Sequence, residues 1–578
     1  MISNENIKLQ ISVAILVAII SVCFAWGPRT HIEISQVAFD YLDDDLFDDL
    51  PTFLDTYRGA IFAGSIFPDW AFVVIDDNLS RHAHQVSFEE LYWEILLEKF
   101  PDMSTTVAQR ELAFYMGLLS HIYADRILHG YHDPPGMNSF LVTGMATDGV
   151  TEEIIEGSLD IVIGYESSVS SFTWFWPYGT LRDVYHAYGD TGVTESQLIT
   201  GTTGLETTVA AVEATGYFSY LAAKAAIPWC YDNYEDYHPG GLLNSSSLVA
   251  LKFRKAWAYA INKIQIFQKS QYDCGYQNCF DNHLLADVYT NNAGGEDGLL
   301  GTIDASSNYA AILIKWILED LDTTLGLDSA KACMYYQSRL GSWTGDESIA
   351  AYRINRNWGE GDKHDGSESN YNGAPMSSSD EFSCWTHAFY NSTPWNSPGL
   401  SSTPGDRQSV ADDNLLFTSS SAYPAWHNWD ITSTTLHWIE NPSENYGVLL
   451  KEDTNDHNGR VIFTSSENWD VHCRPMLMLY LSDRPLAVDQ HNSQRIPSEK
   501  SIRMYPNPFN SEIRIDLNFK PNSLKIYDIN GNLIHDVMIE NSAKSYIWQP
   551  YSRLESGIYF IHILNNSLTY TKKIVYLK

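Results

Sequence analysis

Residues 111–131, ELAFYMGLLSHIYADRILHGY, set His121, Asp125 and His129 four residues apart inside an otherwise apolar run. Each four-residue step advances about 40° around an α-helix, so the spacing predicts a helix that carries all three side chains on one face. Two imidazoles and a carboxylate bordered by apolar residues are costly to bury without partners. They are also zinc donors, and one rigid helix presents several of them at once. Taken alone, the triplet reads equally as a hydrogen-bonded polar patch on a core helix.

The same 3.6-residue period extends outward from this stretch. TTVAAVEATGYFSYLAAKAA (207–226) and SSSLVALKFRKAWAYAINKIQIFQ (245–268) predict further helices, and residues 26–278 read as one all-α region. From 281 to 483 the texture changes to short β-rich runs such as YAAILIKW, AKACMYY, YGVLLKE, VIFTS and PMLMLYL between Asn, Gly, Ser and Asp, which predicts an all-β sandwich. A polar linker covers 484–500. The last segment, 501–578, holds EIRIDL, LKIYDINGNLI, SGIYFIHIL and TKKIVYL around tight Asn-Gly and Ser-Gly turns, a small second β-sandwich. No repeat of 20–50 residues is present, which argues against a propeller or solenoid.

At the other end, MISNENIKLQ carries one lysine and is followed by the uncharged run ISVAILVAIISVCFA, ending in small Ala25. This is the pattern of a cleaved secretory signal over residues 1–25, so the mature chain is expected to begin at Trp26. A retained anchor would want roughly 20 uninterrupted apolar residues, more than this run provides. A lipid-modified Cys23 would want a small residue before the thiol, where Val22 stands. About 550 residues then remain, enough for roughly two to four domains. The formal charge of -36 gives a solvated acidic surface poorly suited to holding nucleic acid. Of seven cysteines, Cys23 leaves with the signal; the even remainder permits disulfides, with Cys274 and Cys279 the closest pair. Their wide spacing does not make a cysteine zinc site, so a bound metal must rely on His and carboxylate.

Further donors lie in the helical region. Trp26-Gly-Pro-Arg-Thr-His31 runs into the helix-like IEISQVAFDYL, and a free α-amino group at Trp26, with a pKa near 8, yields its proton to a metal easily. In AGSIFPDW, Pro68 fixes the backbone ahead of Asp69. RHAHQVSF supplies His82 and His84, and Asp148-x3-Glu152 repeats the i, i+4 geometry, with Glu153 a rival for Glu152. Each has a plain reading as well: a packed Trp, a Pro-Asp turn, an acidic pair on a solvated helix face.

In this order, AWGPRTHIEI, AGSIFPDW, HAHQVSF, AFYMGLLSHIYADRILH and a later acidic helix resemble the zinc-dependent phospholipase C family, which includes the N-terminal domain of glycosylphosphatidylinositol-specific phospholipase D. The resemblance covers most of 26–170. It implies an all-helical domain with a cluster of up to three zinc ions held by Trp26 through its amine and carbonyl, His31, Asp69, His84, His121, Asp125, His129 and Glu152. It favours His84 over His82, and it sets Asp148 where bacterial members have a histidine ligand. Asp69 would orient or deprotonate the attacking water, or serve only as a bridging ligand. The implied substrate is a phospholipid or other phosphodiester at a membrane surface. The alternatives are a single-strand nuclease or nucleotidase of a related zinc fold, and a non-catalytic surface binding protein.

Residues 281–483, above all AYPAWHNWDITSTTLHWIENPSENYGVLLKEDTNDHNGRVIFTSSE, resemble DNRLRE-type sandwich modules, which implies carbohydrate or cell-surface contact or a spacer. MYPNPFN, LKIYDINGNLI, SGIYFIHIL and the terminal KKIVYLK resemble the C-terminal sorting domain of type IX secretion, which implies that machinery as a partner and a secreted or cell-surface destination.

Overall fold

The computed structural model describes residues 27–269, 279–482 and 502–578 apart from 44–45, 130–138, 286–299, 302–309, 361–381 and shorter breaks. Helices come first: α1 Pro28–Asp40, α2 Asp49–Ile66, α3 Trp70–Val73, α4 Asp77–Ala83, α5 Val86–Lys99, α6 Thr106–Leu128, α7 Phe140–Asp148, α8 Glu152–Glu166, α9 Tyr178–Tyr188, α10 Glu195–Glu213, α11 Tyr217–Ala226, α12 Pro228–Asn233 and α13 Leu242–Asn262. Residues 111–128 lie in α6, which Thr105 caps by accepting from the Ala108 amide, and His129 follows as its C-cap. Leu112, Phe114, Met116, Leu118 and Ala124 bury α6 in the core.

The crossing of α2 and α6 sets up the site. A Cβ on Gly64 would fall 2.1 Å from the Phe114 carbonyl oxygen, and one on Gly117 would fall 1.9 Å from that of Ile61. Only glycine lets the two backbones touch here. The close approach brings the C-terminal end of α2 against the turn of α6 that carries His121.

The run at 207–226 is two helices, because Gly216 takes an extended backbone between α10 and α11. The helix read through Gln268 also ends early, at Asn262. Lys263 adopts the left-handed conformation (φ 54°), and the alternation of Ile264 and Ile266 is then used as strand β1, Ile264–Gln268.

The strands that follow are β2 Cys279–Leu285, β3 Leu300–Gly301, β4 Ala310–Trp316, β5 Gly326–Ser342, β6 Glu347–Arg353, β7 His387–Phe389, β8 Thr393–Pro394, β9 Asp413–Phe417, β10 Ala425–Asp430, β11 Val448–Glu452, β12 Asn458–Phe463 and β13 Met476–Ser482. One sheet runs β1-β13-β5-β12-β3 with β10 also on β5, and the other runs β2-β4-β11-β6-β9. Ile314 and Trp316 from one sheet meet Ala332, Met334, Phe463 and Leu479 from the other in a shared core, so the sandwich expected from the alternating runs is present. Helix α14, Thr432–Glu440, adds Trp438 to that core. The sandwich is tied to α13 by polar contacts: Asn244 donates to the Trp469 carbonyl at 2.9 Å, Ser247 to Asp470 at 2.6 Å and Arg254 to the His472 carbonyl at 2.8 Å.

The described residues from 502 onward form a separate compact unit. Its strands, β14 Ile502–Tyr505, β15 Ile513–Leu517, β16 Ser523–Asp528, β17 Leu533–Met538, β18 Ser545–Trp548, β19 Gly557–Asn565 and β20 Leu568–Tyr576, make the sheets β14-β15-β18 and β17-β16-β19-β20. Ile513, Ile515, Leu524, Ile526, Ile561 and Ile574 share its core. Cys274 of the cysteine pair noted above lies outside the described residues.

Candidate metal centre

The end of α2 continues into a short 3-10 turn, Phe67–Asp69, where Pro68 steers Asp69 into the core beside α6. Asp69 Oδ1 lies 3.4 Å from His84 Nε2 and 4.0 Å from His121 Nε2. His121 Nδ1 is 2.7 Å from the Ser65 carbonyl oxygen, and His84 Nδ1 is 2.8 Å from that of Ser80. A carbonyl oxygen only accepts, so both Nδ1 atoms donate, and in the neutral rings both Nε2 atoms present lone pairs. Those two Nε2 atoms face each other at 2.9 Å. Asp125 Oδ2 sits 3.3 Å from one and 3.5 Å from the other. Its Oδ1 is 3.3 Å from His31 Nε2, and the His31 ring stacks on His121 with centroids 3.8 Å apart.

These groups compete for protons. Burial raises the pKa of Asp69 against the opposing pull of His121 and His84. Burial also acts on Asp125, but His121 and His31 overcome it and hold that carboxyl well below its usual range. For His84, burial disfavours the charge, yet the bond to Asp69 and the charges of Asp69 and Asp125 carry its pKa up to about 9. His121 is pushed down by burial and by neighbouring His31. Lone pairs and carboxylates aimed at one buried space are what a divalent cation satisfies.

A second group lies beyond the end of α6. His129 Nδ1 is 3.2 Å from Glu152 Oε1, and Glu156 completes a set whose ligand atoms lie within 4.8 Å of one another. Among the described residues three further sets meet the same spacing: His31, Asp69 and His121; His84, His121 and Asp125; and, at the contact of the sandwich with α13, Asp470, His472 and Cys473. Both carboxylate oxygens of Glu156 are buried and receive no hydrogen bond among the described residues. Burial, together with the charges of Glu152, Asp125 and Asp69, raises the Glu156 pKa well above the usual carboxylate range. The donor set is therefore His and carboxylate throughout, with orphaned buried oxygens, and it fits zinc.

Of the residues named from the sequence, His31, Asp69, His84, His121 and Asp125 are brought together, and His129 pairs with Glu152. Trp26 lies outside the described residues. His82 points elsewhere, with Nδ1 2.6 Å from Asp190. Glu153 is exposed, and its carboxyl is lowered by the Thr151 hydroxyl.

Asp148 is a correction. Gly149 takes φ +68° and ends α7, so Asp148 and Glu152 do not share a helix. Asp148 instead accepts from the backbone amides of Trp229 (2.8 Å) and Cys230 (3.0 Å), capping the first turn of α12. Asp148→Ala is expected to leave zinc content unchanged and to cost about 1 kcal/mol, the value of a lost cap. Metal analysis and denaturant unfolding check this, and loss of a zinc equivalent would return Asp148 to the site.

Glu156 was missed. Its signal was available, since Glu152-x3-Glu156-x3-Asp160 on α8 repeats the spacing of the α6 triplet. Asp160, its carboxyl raised by burial to about 6, accepts from the Thr30 amide (2.7 Å) and hydroxyl (2.8 Å) and so anchors the start of α1 beside His31.

Two family models match parts of the chain. Residues 30–158 match the model of the zinc-dependent phospholipase C family, and residues 503–577 match that of the secretion system C-terminal sorting domain. Residues 30–158 of the helical region thus match a zinc-dependent phospholipase C domain. Over 248 residues the chain is 25% identical to a phosphatidylinositol-glycan-specific phospholipase D of Dictyostelium discoideum, covering 41% of this chain and 26% of that protein. The chain thus spans about a quarter of the length of that relative. Among solved structures, PorZ, a type IX secretion surface component of Porphyromonas gingivalis, aligns with TM-score 0.12 and 15% identity over 19% of this chain and 14% of that one. A β-1,2-glucanase of Parabacteroides distasonis aligns with TM-score 0.17 and 9% identity over 54% and 39%. Scores this low carry no reading of the site. The sorting domain marks the chain for type IX export, to the cell surface or the medium.

Proposed function

We propose that the helical region is a zinc-dependent phosphodiesterase that hydrolyses phospholipids. The observation that carries the reading is the pair of histidine Nε2 atoms facing each other at 2.9 Å between Asp69 and Asp125. His31, Asp69, His84, His121, Asp125, His129, Glu152 and Glu156 would hold up to three ions, with Trp26 contributing its terminal amine and carbonyl. Zinc bound there supplies Lewis acidity that makes hydroxide available near neutral pH and neutralises charge growing on the phosphoryl oxygens.

The residues have separate tasks. Ser65 and Ser80, through their carbonyls, fix the tautomers of His121 and His84 and turn both Nε2 atoms inward. Asp69, buried beside His84 and His121, would take the proton of an attacking water or serve as a bridging ligand. Asp125 bridges His31 and His121 and holds the two rings in their stack.

The mature, zinc-loaded protein offered phosphatidylcholine, a glycosylphosphatidylinositol anchor and single-stranded DNA is expected to hydrolyse a phospholipid, to lose that activity with a chelator and to regain it with zinc. Product analysis separates C-type from D-type cleavage by which ester bond is broken. Cleavage of DNA alone would favour the nuclease reading, and a purified protein without zinc or activity would favour a surface binding role.

A further inference from the structure

Between Asp69 and His84 the chain passes through Phe72-Val73-Val74-Ile75, four consecutive apolar residues at the end of α3. Phe72, Val73 and Val74 are only partly buried, and Ile75 is 88% exposed. The Phe72 ring stands 6.4 Å from the His84 ring, so the segment borders the metal centre. Val73 anchors it, with a methyl lying where a Cβ on Gly204 of α10 would fall.

Ile75 is also strained. Its φ is +60°, in the left-handed region, where a β-branched side chain is a genuine outlier and Gly or Asn is the ordinary choice. The backbone reason is clear: the Ile75 amide donates to the Phe72 carbonyl at 3.1 Å and that of Asp76 to Ala71 at 2.9 Å, closing α3. Among the described residues little packs on the Ile75 side chain, which projects into solvent.

We propose that Phe72–Ile75 is a lipid-docking tip, which sets Ile75 into the apolar layer of a zwitterionic lipid aggregate beside the metal centre. The inference rests on the phospholipid reading of that centre and adds how the site meets its substrate. Charge narrows the surface. A formal charge of -36 disfavours approach to anionic membranes and favours apolar insertion into lipids without net charge.

The test uses the full mature, zinc-loaded chain and vesicles of phosphatidylcholine. Partition is read by co-sedimentation, and hydrolysis is read both on vesicles and on a monomeric short-chain phosphatidylcholine. Ile75→Asn and Ile75→Gly accept the left-handed backbone but lose the apolar side chain. They are expected to reduce vesicle partition and vesicle hydrolysis about tenfold, as loss of one buried aliphatic side chain implies, with turnover of the monomeric substrate unchanged. Ile75→Leu should retain partition. Equal partition of all four proteins, no partition of the wild type, or preference for anionic vesicles would overturn the proposal. Vesicle partition that depends on Ile75 with no hydrolysis of any phospholipid would leave the tip standing and sink the activity instead.

Discussion

Replacing His121 by alanine is expected to reduce phospholipid hydrolysis by more than about 100-fold and to release zinc, with the helical fold retained. Losing a partner that merely orients a ligand costs roughly 10- to 100-fold in metal affinity or activity, and a direct donor shared between two groups should cost more. His121 is shared in this sense: its Nε2 faces His84, Asp69 and Asp125, and its ring supports His31. Circular dichroism and metal analysis beside the activity assay separate loss of metal from loss of fold. Normal zinc content and activity in His121→Ala would reduce the cluster to a buried polar network.

Glu156→Gln is expected to change stability in opposite directions with and without zinc. In the metal-free protein the Glu156 carboxyl is buried among like charges with its pKa raised, so the folded state binds a proton more tightly than the unfolded chain. Such a group is unfavourable to folding at neutral pH and becomes less so as pH falls toward the unfolded pKa. Gln removes the charge, and the metal-free variant should be more stable than the parent at pH 7 by about 1–3 kcal/mol. With zinc present the order reverses, because stabilisation by a bound ion depends on its affinity and Gln is the poorer donor. Thermal unfolding with and without chelator checks both signs. A variant less stable than the parent in both conditions would make Glu156 a structural residue.

Much of the centre was legible because helices impose a simple rule. The α6 triplet could be placed on one face from its spacing, and Pro68 announced a fixed turn before Asp69. The pairing of Asp148 with Glu152 rested on the i, i+4 rule, which applies only within a continuous helix, while the same rule applied from Glu152 would have pointed to Glu156. Gly149, in a left-handed conformation, breaks that continuity after Asp148, whereas Glu152 and Glu156 remain on one helix. A glycine is readable in a sequence, but whether it ends a helix depends on what the next segment packs against. The strand β1 is a similar case, since the pattern of residues 245–268 suited a helix until β13 offered Ile264 and Ile266 a neighbour to pair with.

By itself, then, the sequence determined the succession of helical, sandwich and tail regions, the histidine and carboxylate donors on α6, and the export tail, because periodicity and motif order are local properties of a chain. Only the tertiary structure decided which donors share a space. The Gly64–Gly117 contact draws α2 onto α6, His84 rather than His82 faces Asp69, and Glu156 rather than Asp148 lies beside His129 and Glu152. Convergence of this kind is set by the packing distance between helices, which a non-local contact controls and no spacing along one segment encodes.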